Sequence, residues 1–115
     1  MGWDSETASG MIYIAAPYWS DDEDIRADRQ QKAIEYSIQL TQAGILNYSP
    51  LLYSEKFKGE NIPESYWITH CLKMLRACDS GVVLCLPGWE DSKGVERECL
   101  EAKKLKLDIK YVEAG

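Results

Sequence analysis

The residues of this chain best suited to chemistry gather around Glu98. It lies in Asp91-Ser92-Lys93-Gly94-Val95-Glu96-Arg97-Glu98-Cys99, which follows an apolar run and opens a helix. On that helix Val95, Cys99, Ala102 and Leu105 recur at helical spacing and mark a buried face. At about 100° per residue, Glu98 falls on the edge of that face, while Glu96, Arg97 and Glu101 are expected to point elsewhere. A carboxylate turned inward just past a Gly-containing strand-to-helix turn is a candidate nucleophile or general base. The alternative is a first-turn acid that favours the helix dipole.

Other residues bear on the same chemistry. Ser92 can cap the helix and Gly94 lets backbone approach a ligand, so the turn is either a modest anion site or plain capping. It carries neither the G-x-x-x-x-G-K-[ST] nor the G-x-G-x-x-G pattern. Arg29 lies in the stripe Ile25, Ala33, Tyr36, Leu40 and Ala43 of an earlier helix. Its guanidinium can hold a phosphate or carboxylate ligand, or snorkel and pair with Glu98 or another acid. Tyr13 sits in an apolar strand, where a buried hydroxyl needs a partner, either backbone or Glu98. His70, the one histidine, flanks the seam of another helix and reads as a boundary residue or an acid. Tyr18, Trp19, Tyr53, Trp67 and Trp89 fall in or near the expected ligand-edge loops, where aromatics either stack on a base or simply pack.

The elements that must position these groups alternate. Met11–Ala15 reads as a strand, and 16–20 as a loop interrupted by Pro17. A helix is predicted from about Asp22–Asp24 to Ala43, stopped by Gly44, and 45–48 as a second strand closed by Ser49-Pro50. Residues 51–62 show no clear period and read as a loop. Pro63 opens a second helix with the seam Trp67, Cys71, Met74, Leu75 and Cys78. Residues 81–86 form a strand apolar on both faces, hence central and parallel. The loop 87–91, the Glu98 helix to about Lys106 and a strand over 109–112 complete the order. Such alternation predicts an α/β, three-layer, Rossmann- or flavodoxin-like domain over 11–115, with a mostly parallel four-stranded sheet of order 2-1-3-4. Ligands then bind beyond the carboxyl ends of the strands, where the 16–20, 49–62 and 87–94 segments converge. Residues 1–10 read as a flexible leader.

Composition bounds the partners. The 115 residues suffice for one domain, and 45% apolar with 28% charged is ordinary for a globular chain. A net charge of −6 argues against binding a nucleic-acid polymer, though not a single nucleotide. No run approaches the roughly 20 apolar residues of a membrane span. Cys71, Cys78, Cys85 and Cys99 form no C-x-x-C pair, so a metal site is not expected. Free core thiols fit a reducing, cytoplasmic setting.

These stretches together resemble a known family. Ile12-Tyr13-Ile14-Ala15-Ala16-Pro17-Tyr18, Ser49-Pro50, Trp67-Ile68-Thr69-His70, Ala77-Cys78-Asp79 and the run from Pro87 to Glu98 are similar to the nucleoside 2-deoxyribosyltransferase superfamily, in a branch of small bacterial and phage proteins. The likeness spans about residues 11–112, and its most specific part is the Gly88-to-Glu98 turn. It implies cleavage of the N-glycosidic bond of a (deoxy)nucleoside or its 5′-monophosphate, by hydrolysis or by transfer to another base. It further implies Glu98 as nucleophile, Tyr13 as the group that orients it, and Ala15, Ala16, Pro17, Tyr18 and Ser92 around the sugar or phosphate. Trp89, Asp91 and Gly94 line the same turn, with Arg29 a second phosphate candidate and His70 a candidate acid. No metal or organic cofactor is implied, and a homo-oligomer is. The oxocarbenium-like transition state of such a reaction is stabilised by an ionised carboxylate beneath C1′. One departure stands out: the family's helix-two aspartate is Cys71 here, which leaves open a non-catalytic nucleotide-binding module of the same fold.

Overall fold

In the computed structural model, residues 10–113 are described, so the expected leader lies outside the described residues except for Gly10. Strands β1 (Met11–Ala15), β2 (Leu46–Tyr48), β3 (Ser80–Leu84) and β4 (Asp108–Val112) alternate with helices α1 (Glu23–Gln42), α2 (Pro50–Ser54), α3 (Glu64–Arg76) and α4 (Lys93–Lys104). The sheet has the order β2-β1-β3-β4. All three pairings are parallel, with Ile12 opposite Ser80 and Ala15 opposite Val83 across the central pair. The chain is therefore the α/β domain its pattern predicts. β1 and β3 are neighbours although α1, β2, α2 and α3 intervene between them in the chain, so the strand order reverses there and a crevice opens at their carboxyl ends.

The central strands are apolar on both faces because each face is covered. Ile14, Val82, Leu84 and Leu86 pack with Ala33 of α1 on one side. Tyr13, Ala15 and Val83 pack with Leu75 and Cys78 near α3 and with Val95 and Ala102 of α4 on the other. Alternation along β1 thus sends Tyr13 and Ile14 to opposite layers.

Local signals explain most of the boundaries. Asp22 caps α1 by accepting from the amide of Asp24 at 2.8 Å, and Glu23 and Asp24 place acids in its first turn. Gly44 ends that helix at φ 79°, a conformation that suits glycine. The last helix stops at Lys104 rather than Lys106, because Lys106 itself turns left-handed at φ 60°.

Two expectations need correction. The 51–62 segment is not a plain loop: it begins with α2 and continues as a 3-10 turn, Glu55–Phe57. The helix starts where Ser49 accepts from the Leu52 amide and Pro50 occupies the first turn, a position that needs no amide donor. The buried stripe of α1 is Gln30, Ala33 and Ser37, whereas Ile25 and Ala43 are exposed. A 20-residue helix is about 30 Å long and overhangs strands of five residues, so its ends leave the sheet. The two polar residues of that stripe are satisfied locally: Gln30 donates to the Leu51 carbonyl at 2.9 Å, and the Ser37 hydroxyl donates to the Asn47 side chain.

Candidate functional site

A cavity of about 460 Å³ opens at the carboxyl ends of the central strands. Ile14, Ala16, Tyr18 and Trp19 border it from β1 and the following loop, and Pro50 and Leu51 from the start of α2. Helix α3 turns one face toward it, carrying Glu64, Trp67, Ile68, Cys71 and Leu72 at i, i+3/i+4 and i+7/i+8 spacing. The fourth wall is the turn Asp91–Gly94 with Arg97 and Glu98 of α4.

Glu98 reaches this cavity because α4 has two working faces. Val95, Cys99 and Ala102 pack into the core, while Gly94, Arg97 and Glu98 border the cavity one flank around. The Tyr13 hydroxyl donates a hydrogen bond to the Glu98 carboxylate. Tyr13 is only 1% exposed, so the phenol is a fixed donor from the central strand. Burial, then the charge of Glu98, pushes its ionisation up, which keeps the proton on the phenol and leaves it a donor. Glu98 itself is pushed up to about 7. Burial drives that rise, and the Tyr13 hydrogen bond and the positive charge of Arg97 oppose it. A glutamate so poised is deprotonated in a substantial fraction at neutral pH and poorly solvated, as a nucleophile or base requires. Cys71 faces the same pair, and burial followed by the Glu98 charge pushes its thiol up to about 11. It is therefore a neutral thiol at pH 7.

The remaining expectations divide. Ala16 and Tyr18 border the cavity, but Ala15 and Pro17 do not; both are buried beneath it because successive residues of the extended β1 end face opposite ways. Ser92 borders the cavity and caps α4, its oxygen accepting from the Val95 amide at 3.2 Å, which leaves the hydroxyl proton free to donate. Asp91 and Gly94 border it as well. A Cβ added at Gly94 would meet only the Ser92 oxygen, at 3.9 Å, so the glycine leaves open space beside the cap. Trp89 turns away and packs on Tyr111 at a centroid distance of 5.5 Å.

His70 does not border the cavity. Its Nδ1 lies 3.1 Å from the Tyr48 hydroxyl, and its ring stacks at 4.9 Å on Tyr53, a residue of α2. Its place beside the seam is real, but Tyr53 of α2 and Tyr48 of β2 fill the space it faces. Arg29 is also displaced from its expected role. It meets neither Glu98 nor any other carboxylate among the described residues. Its Nη1 donates to the Trp19 carbonyl at 2.8 Å and its Nη2 to the Pro87 carbonyl at 2.7 Å. The guanidinium thus ties the loop after β1 to the loop after β3, the two sides of the cavity, by reaching backbone acceptors that no sequence pattern exposes.

Gly88 makes this tie possible. It sits at φ 90°, and a Cβ there would lie 2.6 Å from Arg29 Nη2. Gly88→Ala is expected to cost about 2 kcal/mol of stability, combining left-handed strain with the lost loop tie. In an Arg29→Ala background the same change should cost only the strain, about 1 kcal/mol. Urea unfolding of the four proteins measures the coupling, and additive effects would show that the tie contributes nothing.

Arg97, Lys93 and Glu64 were missed. Helical arithmetic sends Arg97 away from the core face, which is correct, but the cavity lies on the neighbouring flank and a long side chain reaches it. Neither Arg97 nor Lys93 forms an ion pair among the described residues. No group of three or more His, Cys, Asp or Glu among them is placed to hold a metal, and no helix there is long and apolar enough to cross a membrane.

The cavity thus presents a partly buried carboxylate on a fixed phenol, a largely apolar α3 wall, and, beside a capped helix start, cations that form no ion pair among the described residues. No curated protein matches the chain. Residues 10–112 match the model of a family described as a domain of unknown function, DUF1937, and the chain belongs to that family.

Proposed function

We propose that this protein cleaves the N-glycosidic bond of a (deoxy)nucleoside or its 5′-monophosphate, by hydrolysis or by transfer to another base. The observation that carries the proposal is the Glu98 carboxylate, partly buried where it borders the cavity and held by the Tyr13 hydroxyl. The resemblance of the Gly88–Glu98 turn to nucleoside 2-deoxyribosyltransferases supports the same assignment.

In the first step a Glu98 oxygen bonds to C1′ as the C1′–N bond breaks, and the electron pair leaves with the base. The glycosyl ester so formed is then opened by water or by the nitrogen of a second base, which restores the carboxylate. Positive charge builds at C1′ in both steps, directly above an acid that little water shields. Ser92, Ala16 and Tyr18, with the cations Lys93 and Arg97, suit the sugar and a 5′-phosphate. Of the two acid candidates Asp91 borders the cavity whereas His70 does not, so Asp91 is the better placed to assist the departing base.

A net charge of −6 favours a small nucleoside or nucleotide over a polymer. Four free thiols suit a reducing, cytoplasmic setting. The exposed Tyr53 and Tyr66, which adjoin the cavity wall through Trp67, and the exposed Leu52 suit a homo-oligomer.

A second reading, a nucleotide-binding module without turnover, is favoured by one observation. Cys71 is a neutral thiol where the similar transferases carry an aspartate. Incubation with ribo- and deoxynucleosides and their monophosphates, with and without an acceptor base, separates the two. Free base in water alone is expected of a hydrolase and an exchanged base of a transferase. Ligand-induced thermal shifts without any released base would establish the binding module instead.

A further inference from the structure

We infer that Glu64 reads the far edge of the base and selects bases bearing an exocyclic amino group over their oxo counterparts. The inference rests on the glycosidic reading, since it is Glu98 beneath C1′ that fixes which end of the cavity receives the base.

The α3 wall gives the direction. Cys71 faces Tyr13 and Glu98 at the floor. Glu64 lies seven residues earlier on the same cavity-facing side, two helical turns or about 10 Å along the axis. Trp67, Ile68 and Leu72 line the stretch around that path, an apolar surface suited to the flat faces of a base. A nucleoside with C1′ over Glu98 and its base along this wall points its distal edge at Glu64.

Glu64 is the one charged residue that α3 brings to the cavity. The other charged residues that border it, Asp91, Lys93, Arg97 and Glu98, stand on α4 and the turn before it, near the sugar end. Glu64 carries the acid on α3 and forms no ion pair among the described residues. It belongs to no metal-holding group there either. A carboxylate only accepts, so it takes a hydrogen bond from an exocyclic amine and repels the lone pairs of a carbonyl in the same place. Carboxylates accept from the cytosine amino group in this way. Adenine against hypoxanthine and cytosine against uracil are the matched pairs that differ at that position.

The test measures kcat/KM for base release from the four corresponding nucleosides and monophosphates, with wild type, Glu64→Gln and Glu64→Ala. Equilibrium binding of the four free bases is measured alongside. Glu64 is exposed, so both variants are expected to fold, which circular dichroism checks. Wild type should favour the amino member of each pair by about tenfold, and both variants should bring the ratio near one. Base release whose amino-to-oxo ratio is unchanged in both variants overturns the assignment of Glu64. A Glu64-dependent preference in free-base binding, with no release from any substrate, upholds Glu64 as the reader and overturns the glycosidic reading alone. Neither release nor binding overturns both.

Discussion

Glu98→Gln is expected to lower base release by about three orders of magnitude or more while leaving ligand binding within about tenfold of wild type. The substitution keeps shape and volume, and its amide oxygen still accepts from the Tyr13 hydroxyl that now meets the carboxylate. What it removes is the negative charge at C1′ and the electron pair that forms the glycosyl ester. Both matter only as the transition state develops, so the loss should fall on kcat rather than on KM. Tyr13→Phe makes a graded companion. It leaves the carboxylate but removes its fixed donor, so it should be partly active and should shift the pH response of Glu98. Single-turnover base release and ligand titration on the three proteins read these effects. A Glu98→Gln protein that releases base at the wild-type rate would remove Glu98 from the chemistry.

The parts of this arrangement that were legible in the sequence depend on short-range period and on topology. Apolar β3, capped α1 and the alternation of strands and helices imply the 2-1-3-4 sheet, and that sheet brings Tyr13 of β1 beside the helix that follows β3. The pattern puts an inward acid and an inward phenol in one layer but leaves the phenol's partner open between backbone and Glu98, and the structure gives Glu98. The rest depends on reach and on contacts between distant segments. Arg29 has the helical phase of a cavity residue, but its acceptors are the carbonyls of Trp19 and Pro87, and carbonyls are the same in every sequence. His70 loses its access to Tyr53 of α2, a five-residue helix too short to show a period. Arg97 is phased away from the core, which reads as solvent exposure unless the cavity's position is already known, and Glu64 shares the phase of Trp67 and Cys71 but sits in the first turn of α3, where an acid reads as a helix-dipole partner.

Glu98 should also govern how stability depends on pH. Its folded-state pKa of about 7 stands above the usual 4.5 because burial disfavours the charged form. Between those values the native state binds more protons than the unfolded chain, so stability falls as pH rises. The penalty is absent below about 4.5, grows through the window and is complete above 7, where the shift amounts to about 3 kcal/mol. Glu98→Gln removes the titration, so the variant should gain on wild type by up to about 3 kcal/mol between pH 4.5 and pH 8. Urea unfolding at the two pH values gives that difference, and an equal gap at both would show a well-solvated carboxylate. Base release should move the opposite way, because the ionised form is the nucleophile. It should rise about tenfold per pH unit below 7 and level off above. In Tyr13→Phe the midpoint should move to higher pH, since the hydrogen bond that stabilises the charged form is gone. The ionisation that destabilises the fold is thus the one that arms the site. A carboxylate kept inside only for packing would gain nothing from that cost, and a parallel rise of activity with loss of stability separates the two cases.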